Sequence, residues 1–466
     1  MRIHFLGANR QVTGSRYCLE VGASRVMIDC GMFQERKYEH RNWDSCPVPP
    51  DSLDALVLTH AHIDHCGLLP RLVRQGFEKP IYTTQPTVDL VDIMLRDSAR
   101  IQAEDLKYKQ KRHKKEGRTS KFPYELLYSE DDATETLGLL WGVAYRNKTQ
   151  ITPDVSVTFH DAGHILGSAC LEFDVRTTNG QAWKIVFSGD IGQWGKPIIR
   201  DPVPLSRADF LVMESTYGDR LHKERGDVSD QLADVIRPTV ERGGKVVIPT
   251  FAVERTQELI YHIGQLVSER RIPVVPVIVD SPMAVDVTET FRNHKDSFDS
   301  VTWERILSGD APFSFPNLLM SRTTDESKAI NRMEGPAVIM STSGMCTAGR
   351  IKHHLRRTIE NPNNTILFVG YQAEGTLGRV ILRGKSPIRI HGREYELRAR
   401  IEQIHGFSGH GDRDDLLRWC GSLEKDPRHV FLTHGEKDSA MALADALGEK
   451  GWQATVPNYQ EVIELS

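Results

Sequence analysis

The pattern of apolar and polar positions changes once along the chain. The first thirty residues carry short strand-like runs, RIHFLG at 2–7, RYCLEV at 16–21 and RVMIDCG at 25–31. Glycine and polar turns separate them, which predicts a β-meander. ALVLTH at 55–60 reads as a further strand, and LLPRLVRQG at 68–76 as a short helix closed by Gly76. From Thr87 to about Arg112 the spacing predicts a helix that becomes strongly charged near its end. Ser129 and Asp132 have capping-box spacing and predict another helix start. Strands return at VSVTFH (155–160), ACLEFDV (169–175), WKIVFSGD (183–190) and DFLVMEST (209–216). After Tyr217 the strands become continuous Val/Ile runs at 243–250, 274–281, 335–343 and 364–370, with helical stretches such as VERTQELIYHIGQLV (253–267) between them. That alternation predicts a parallel sheet covered by helices. From about Arg398 the order is strand, helix, strand, helix, the second strand being HVFLTHG at 429–435.

Composition bounds this picture. At 466 residues the chain is long enough for two or three domains. Its 39% hydrophobic and 26% charged residues argue for folded cores and against wholesale disorder. A net charge of −4 argues against a globally basic nucleic-acid coat protein, yet leaves room for a local basic groove. No apolar run approaches the ~20 residues of a membrane span. The start, MRIHFLGANRQVTG, lacks the apolar core of a secretory signal. Seven scattered cysteines, an odd number, do not read as a disulfide framework, so a cytoplasmic location is expected. Cys30 and Cys66 adjoin the acidic and histidine motifs, and buried packing is the better reading of both. The unusual number is 18 histidines.

His60, His62, Asp64 and His65 form HAHIDH directly after the ALVLT strand. In extended chain an H-x-H pair places both imidazoles on one side. Four such donors at a strand end suit Zn²⁺. A polar loop that happens to hold three histidines is the bland alternative, and the density of ligand types argues against it. His164 in DAGHILGS, Asp190 in FSGD and His434 in LTHGE share the context of apolar strand, ligand type and glycine turn. Each alone reads equally well as a capped loop residue. Together they are candidates to complete the coordination.

HAHIDH with a downstream His and Asp resembles the signature of the metallo-β-lactamase fold. ESTYG (214–218), GFSGHGD (406–412) and LTHGE (432–436) resemble the further motifs of the β-CASP nucleases, a group that includes the RNA 3′-end-processing endonuclease and its bacterial relatives. The resemblance runs over essentially the whole chain, including IPTFAVERTQELI, DSPMA, STSGMCTAGR and GYQAEGTLGR. It implies an α/β fold: a metallo-β-lactamase αββα sandwich at 1–215 and 400–466, with a parallel α/β β-CASP domain inserted at 216–399. It implies one metal on His60, His62, His164 and a bridging Asp190, and a second on Asp64, His65, Asp190 and His434. Asp29 would support the ligand loop. Two Zn²⁺ are expected, with Mn²⁺ as the alternative. Histidine at 434 points, by resemblance, to RNA rather than DNA.

A leaving 3′-oxygen needs an acid. His410 in the SGHGD loop is the candidate, and the resemblance pairs it with Glu214; Asp64 completes the catalytic set. A strand-end salt bridge is the alternative reading of Glu214. The glycine turns at 341–350 and 370–379 suit backbone contacts to phosphate, and Arg255, Ser343, Arg350 and Arg379 are candidate substrate contacts. A solvated surface arginine reads equally well for each of the three. KYKQKRHKKEGRTSK at 107–121 holds eight Lys or Arg against one Glu. Such a run is either a solvated face or an electrostatic guide for RNA. The expectation is a zinc-dependent ribonuclease, endo- or 5′–3′ exonucleolytic, with RNA as partner, no membrane and room for a homodimer. A DNA-directed nuclease and a metal-free RNA-binding scaffold subunit are the competing readings.

Overall fold

The computed structural model describes residues 1–117, 119–120, 122–177, 179–222, 227–373 and 375–465. The chain forms two compact units. One holds Met1–Gly195, Asp201–Leu221 and His410–Ser466, and the other Lys196–Arg200 and His222–Gly409.

The first unit contains two seven-stranded sheets. Arg2–Phe5, Tyr17–Val21 and Ser24–Ile28 form the expected antiparallel meander. Ala55–Val57, Ile81–Thr84 and Leu140–Val143 then add in parallel. In the second sheet Val155–Asp161, Ala169–Arg176 and Ala182–Phe187 are antiparallel neighbours, and Phe210–Glu214 and His429–Thr433 continue it in parallel. Ile3, Phe5, Leu19 and Val26 of one sheet meet Val157, Phe159, Leu171, Phe173 and Ile185 of the other in a shared core. Burying each such side chain stabilises the sandwich by roughly 1.5–3 kcal/mol. The far face of the second sheet buries Leu211, Met213 and Leu432 against Leu416 and Trp419 of helix Arg413–Cys420 and Leu443 of helix Lys437–Glu449. Helices Leu69–Arg74, Gln85–Glu116 and Glu130–Leu137 pack together beside the first sheet. The result is a four-layer α/β/β/α sandwich.

The capping box at Ser129 forms as the spacing predicts: the Ser129 hydroxyl accepts from the Asp132 N–H, and the Asp132 carboxylate accepts from the Ser129 N–H at 2.7 Å. The strands Ile81–Thr84, Leu140–Val143 and Thr149–Thr152 escape the sequence reading. Each has four residues, and the last two sit half-exposed, so neither length nor apolar alternation marks them.

The second unit is built on a six-stranded parallel sheet, in the order Leu318–Ser321, Val277–Asp280, Ala337–Ser341, Lys245–Pro249, Thr365–Phe368 and Arg400–Gln403. Its central strands are buried almost throughout, which explains their unbroken apolar runs. Arg400–Gln403 pairs with Thr365–Phe368, so the chain stays in this unit to Gly409, beyond the 399/400 boundary expected from the sequence. No helix among the described residues is long and apolar enough to cross a membrane.

Candidate metal centre and active site

The HAHIDH segment begins just past strand Ala55–Val57, after Leu58 and Thr59, and the turn is shaped by Asp29. Asp29 adopts a left-handed backbone, φ 56°, at the end of the neighbouring strand. Its Oδ1 accepts the Thr59 N–H at 2.8 Å and its Oδ2 lies 2.7 Å from His65 Nδ1. This contact turns His65 Nε2 inward, to 3.3 Å from Asp190 Oδ1. The Thr59 hydroxyl lies 3.0 Å from His60 Nδ1 and leaves His60 Nε2 facing the same centre.

Two glycines let these turns meet. A Cβ on Gly31 would stand 1.6 Å from the Asp64 carbonyl oxygen, and one on Gly192 would stand 1.6 Å from that of Gly163. The first seats the ligand turn; the second presses the His164 turn onto the Asp190 turn.

Around this frame the candidate ligands converge. His62 Nδ1 lies 3.1 Å from both His60 Nε2 and His164 Nε2, and Asp190 Oδ2 lies 3.5 Å from each of those Nε2 atoms. His434 places Nε2 3.4 Å from Asp64 Oδ2 and Nδ1 3.5 Å from Asp190 Oδ1. Ligand atoms of His60, His62, His164 and Asp190 all fall within 4.8 Å of one another, as do those of Asp64, His65 and His434. Apart from the partly exposed His62 and Asp64, these residues are buried.

The donor set fits divalent ions on its own chemistry. Donors ~2.0–2.1 Å from a tetrahedral zinc stand about 3.3 Å apart, close to the separations seen here. Asp190 is 2% exposed, and among the described residues its Oδ1 accepts no hydrogen bond, a costly arrangement for a carboxylate unless a cation meets it. Burial lowers the His62 pKa to about 4 and holds that of His60 well below the usual range, leaving both imidazoles in the neutral form that ligates.

His410 stands at the edge of this cluster. Its Nδ1 is 3.0 Å from Glu214 Oε2 and 3.9 Å from Asp190 Oδ2. Glu214 ends strand Phe210–Glu214 and accepts the Ile191 N–H with Oε1. The Gln193 amide donates to the His410 carbonyl at 2.9 Å, and the Gly411 N–H donates to the Ile191 carbonyl at 2.7 Å. Burial alone would lower the His410 pKa; Glu214 and Asp190 overcome it and raise it to about 9. Nδ1 is directed at Glu214, and the side chain is 20% exposed.

All nine of His60, His62, Asp64, His65, His164, Asp190, Glu214, His410 and His434 thus share one locality, with Asp29 behind it. Thr59, Gln193, Gly31 and Gly192 were missed by the sequence reading. Thr59, directly before the ligand motif, is the one of the four that position alone marks.

The candidate substrate contacts belong to the second unit. Arg350 donates from Nη1 to Asp280 Oδ1 at 2.7 Å and from Nη2 to the Arg322 carbonyl at 2.8 Å. Its guanidinium braces the protein interior. Ser343 Oγ accepts the Thr347 N–H at 3.1 Å and closes its own loop. Arg255 Nη1 donates to the Val369 carbonyl at 3.0 Å. The Arg379 N–H donates to Thr376 Oγ1 at 3.2 Å. Residues 107–116 of the basic segment form the last turns of helix Gln85–Glu116, largely exposed. Its Arg118 and Lys121 lie outside the described residues.

A four-layer sandwich with a buried His/Asp constellation at its strand ends defines a metal-dependent hydrolase of the metallo-β-lactamase kind. Family models agree: residues 13–138 match the metallo-beta-lactamase superfamily, 256–381 the Beta-Casp domain, and 394–457 the Zn-dependent metallo-hydrolase RNA specificity domain. Ribonuclease TTHA0252 of Thermus thermophilus is 37% identical over 465 residues, covering 100% of both chains. Transcription termination factor FttA of Methanocaldococcus jannaschii is 32% identical over 460 residues, 96% of this chain and 69% of that protein. The chain belongs to the β-CASP family of the metallo-β-lactamase superfamily. A crystal structure of a protein of unknown function from Enterococcus faecalis shares the fold, with a TM-score of 0.56 at 13% identity, covering 100% of this chain and 99% of that one.

Proposed function

We propose that this protein is a ribonuclease that hydrolyses RNA phosphodiester bonds with two divalent ions, zinc or alternatively manganese. The observation that carries this reading is the placement of Asp190, with Oδ2 3.5 Å from His60 and His164 Nε2 and Oδ1 3.3 Å from His65 Nε2 and 3.5 Å from His434 Nδ1, beside the His410–Glu214 pair. His60, His62, His164 and Asp190 would hold one ion, and Asp64, His65, His434 and Asp190 the other. Such ions supply Lewis acidity toward water and toward the phosphoryl oxygens. The chain's own residues do the rest. Asp29 and Thr59 hold His65 and His60 in single orientations, so the donors are in place before substrate arrives. Glu214 keeps His410 protonated on Nδ1 and oriented, so that Nε2–H can donate to the departing 3′-oxygen. The products would be a 5′-phosphate and a 3′-hydroxyl. The match to an RNA specificity domain and the name of the Thermus relative support RNA as the substrate.

Matched single-stranded RNA and DNA oligonucleotides test the reading. RNA cleavage that stops with a chelator and returns with Zn²⁺ or Mn²⁺ is expected. A fully metallated protein that leaves RNA intact, or prefers DNA, would overturn it.

A further inference from the structure

One exposed aromatic ring in the second unit is seated on glycine backbone. Phe251 follows the C-terminal end of strand Lys245–Pro249 and is 42% exposed. Its carbonyl accepts the Thr256 hydroxyl at 2.6 Å and the Thr250 hydroxyl at 3.2 Å, and Ala252 and Val253 behind it are buried. The Thr250 N–H donates to the Ser341 carbonyl, so the strand hydrogen-bonding continues to the residue before it. The ring rests on backbone. A Cβ on Gly344 would stand 2.8 Å from Phe251 Cδ2 and Cε2, and one on Gly370 would stand 3.9 Å from Cε2. Among the described residues no aromatic ring and no cation stacks on it. A second exposed aromatic, Tyr371 at 62%, follows Gly370.

The place in the sheet matters as much as the ring. Lys245–Pro249 lies between Ala337–Ser341 and Thr365–Phe368, and all three run in parallel. From Lys245–Pro249 the chain goes first to strands on one side and later to Thr365–Phe368 on the other, so the strand order reverses here. In open parallel sheets the C-terminal edge at such a reversal is where ligands bind. Scattered exposed hydrophobics need no function. A ring that lies on a glycine, on a backbone whose carbonyl takes two hydroxyls, is a different case, because a stacking surface needs a defined position.

We propose that Phe251, seated on Gly344, is a stacking platform for an unpaired base of the RNA substrate. This rests on the ribonuclease reading and adds to it a preference for single-stranded segments. Every base offers a π-face, so the platform confers strandedness preference without reading sequence.

The test uses the full chain with its metal, carrying His410→Ala so that substrate persists. A single-stranded RNA containing 2-aminopurine is titrated, with its duplex as the control. Quenching of the 2-aminopurine is expected on binding. Phe251→Ala should remove the quench and weaken single-strand binding about tenfold, leaving the duplex unaffected. Phe251→Leu should behave like the alanine variant, whereas Phe251→Trp should keep the quench. Gly344→Ala, which displaces the ring while leaving it present, should reproduce the loss. Unchanged quench and affinity in Phe251→Ala, or full rescue by leucine, would overturn the platform alone. A parent chain that binds neither strand form overturns the ribonuclease reading and this inference with it.

Discussion

Each unit buries an aspartate at a strand end among histidine and hydroxyl groups, and the two are satisfied in opposite ways. Asp280 is surrounded by donors from its own chain. Its Oδ1 accepts from Ser321 at 2.9 Å and Arg350 at 2.7 Å, and its Oδ2 accepts from Ser327 and lies 2.6 Å from His354 Nε2. Around Asp190 the nearest histidine nitrogens stand at 3.3–3.5 Å, and among the described residues its Oδ1 accepts no hydrogen bond. A carboxylate closed by donors at hydrogen-bond distance is a structural tie. One ringed by lone-pair donors that face each other is arranged for a cation. Both aspartates follow apolar strands in sequence, so only the distances tell them apart.

Exchanging each for asparagine should pull the comparison apart. Asp190→Asn removes the donor common to both groups, and metal content measured by mass spectrometry should fall at both. RNA cleavage should drop by roughly four orders of magnitude or more. Asp280→Asn should keep both metals and lose stability, seen as a lower Tm. Full metal content in Asp190→Asn would show that it bridges nothing.

His410→Ala comes next in size. Its loss should cost about 10²–10⁴ in turnover, the range of a general acid, while both metals stay bound. Lost metal would mean that His410 is a ligand, a reading its 3.9 Å approach to Asp190 leaves open to test.

What the sequence revealed follows the same division. HAHIDH was legible because four ligand-type residues fall within six positions, and His164, Asp190 and His434 because each follows an apolar strand. The parallel sheet was legible in its unbroken Val/Ile runs. The supports were not: Thr59 and Gln193 are ordinary polar residues, and Gly31 and Gly192 matter only through backbone that approaches from distant segments. Arg350 and Phe251 show the same limit in reverse. An arginine in a glycine-rich loop suggests a phosphate contact, and only its partner at 2.7 Å shows a brace. A phenylalanine after a buried strand suggests core, and only its exposure shows a surface.

Arg350 offers a sharper contrast between the two readings of such a residue. Arg350→Met keeps the aliphatic stem and removes the charge. If the guanidinium braces Asp280, stability should fall by about 3 kcal/mol and the salt dependence of RNA binding should not change. A phosphate contact predicts the reverse: unaltered stability and a salt slope reduced by about one. Urea denaturation and binding titrations between low and high salt measure both.

The smallest effect is a pH dependence belonging to the Asp280 tie. Burial alone would raise this carboxyl, but His354, Ser327 and Arg350 more than reverse that and lower it from 3.8 to about 2. A carboxyl depressed on folding stabilises fully above its unfolded pKa, and the contribution is lost as pH falls through the folded value. The stability gap between the parent chain and Asp280→Asn should therefore be flat above about pH 5 and narrow by roughly 2 kcal/mol as pH falls toward 2. The asparagine removes this titration while retaining the shape of the side chain, so the narrowing isolates it from the other carboxylates. Urea midpoints taken at pH 5, 4, 3 and 2 for both chains measure the gap. A gap that stays constant across that range would mean that the hydrogen bonds to Asp280 do not favour its charged form, and the distinction from Asp190 would then rest on distances alone.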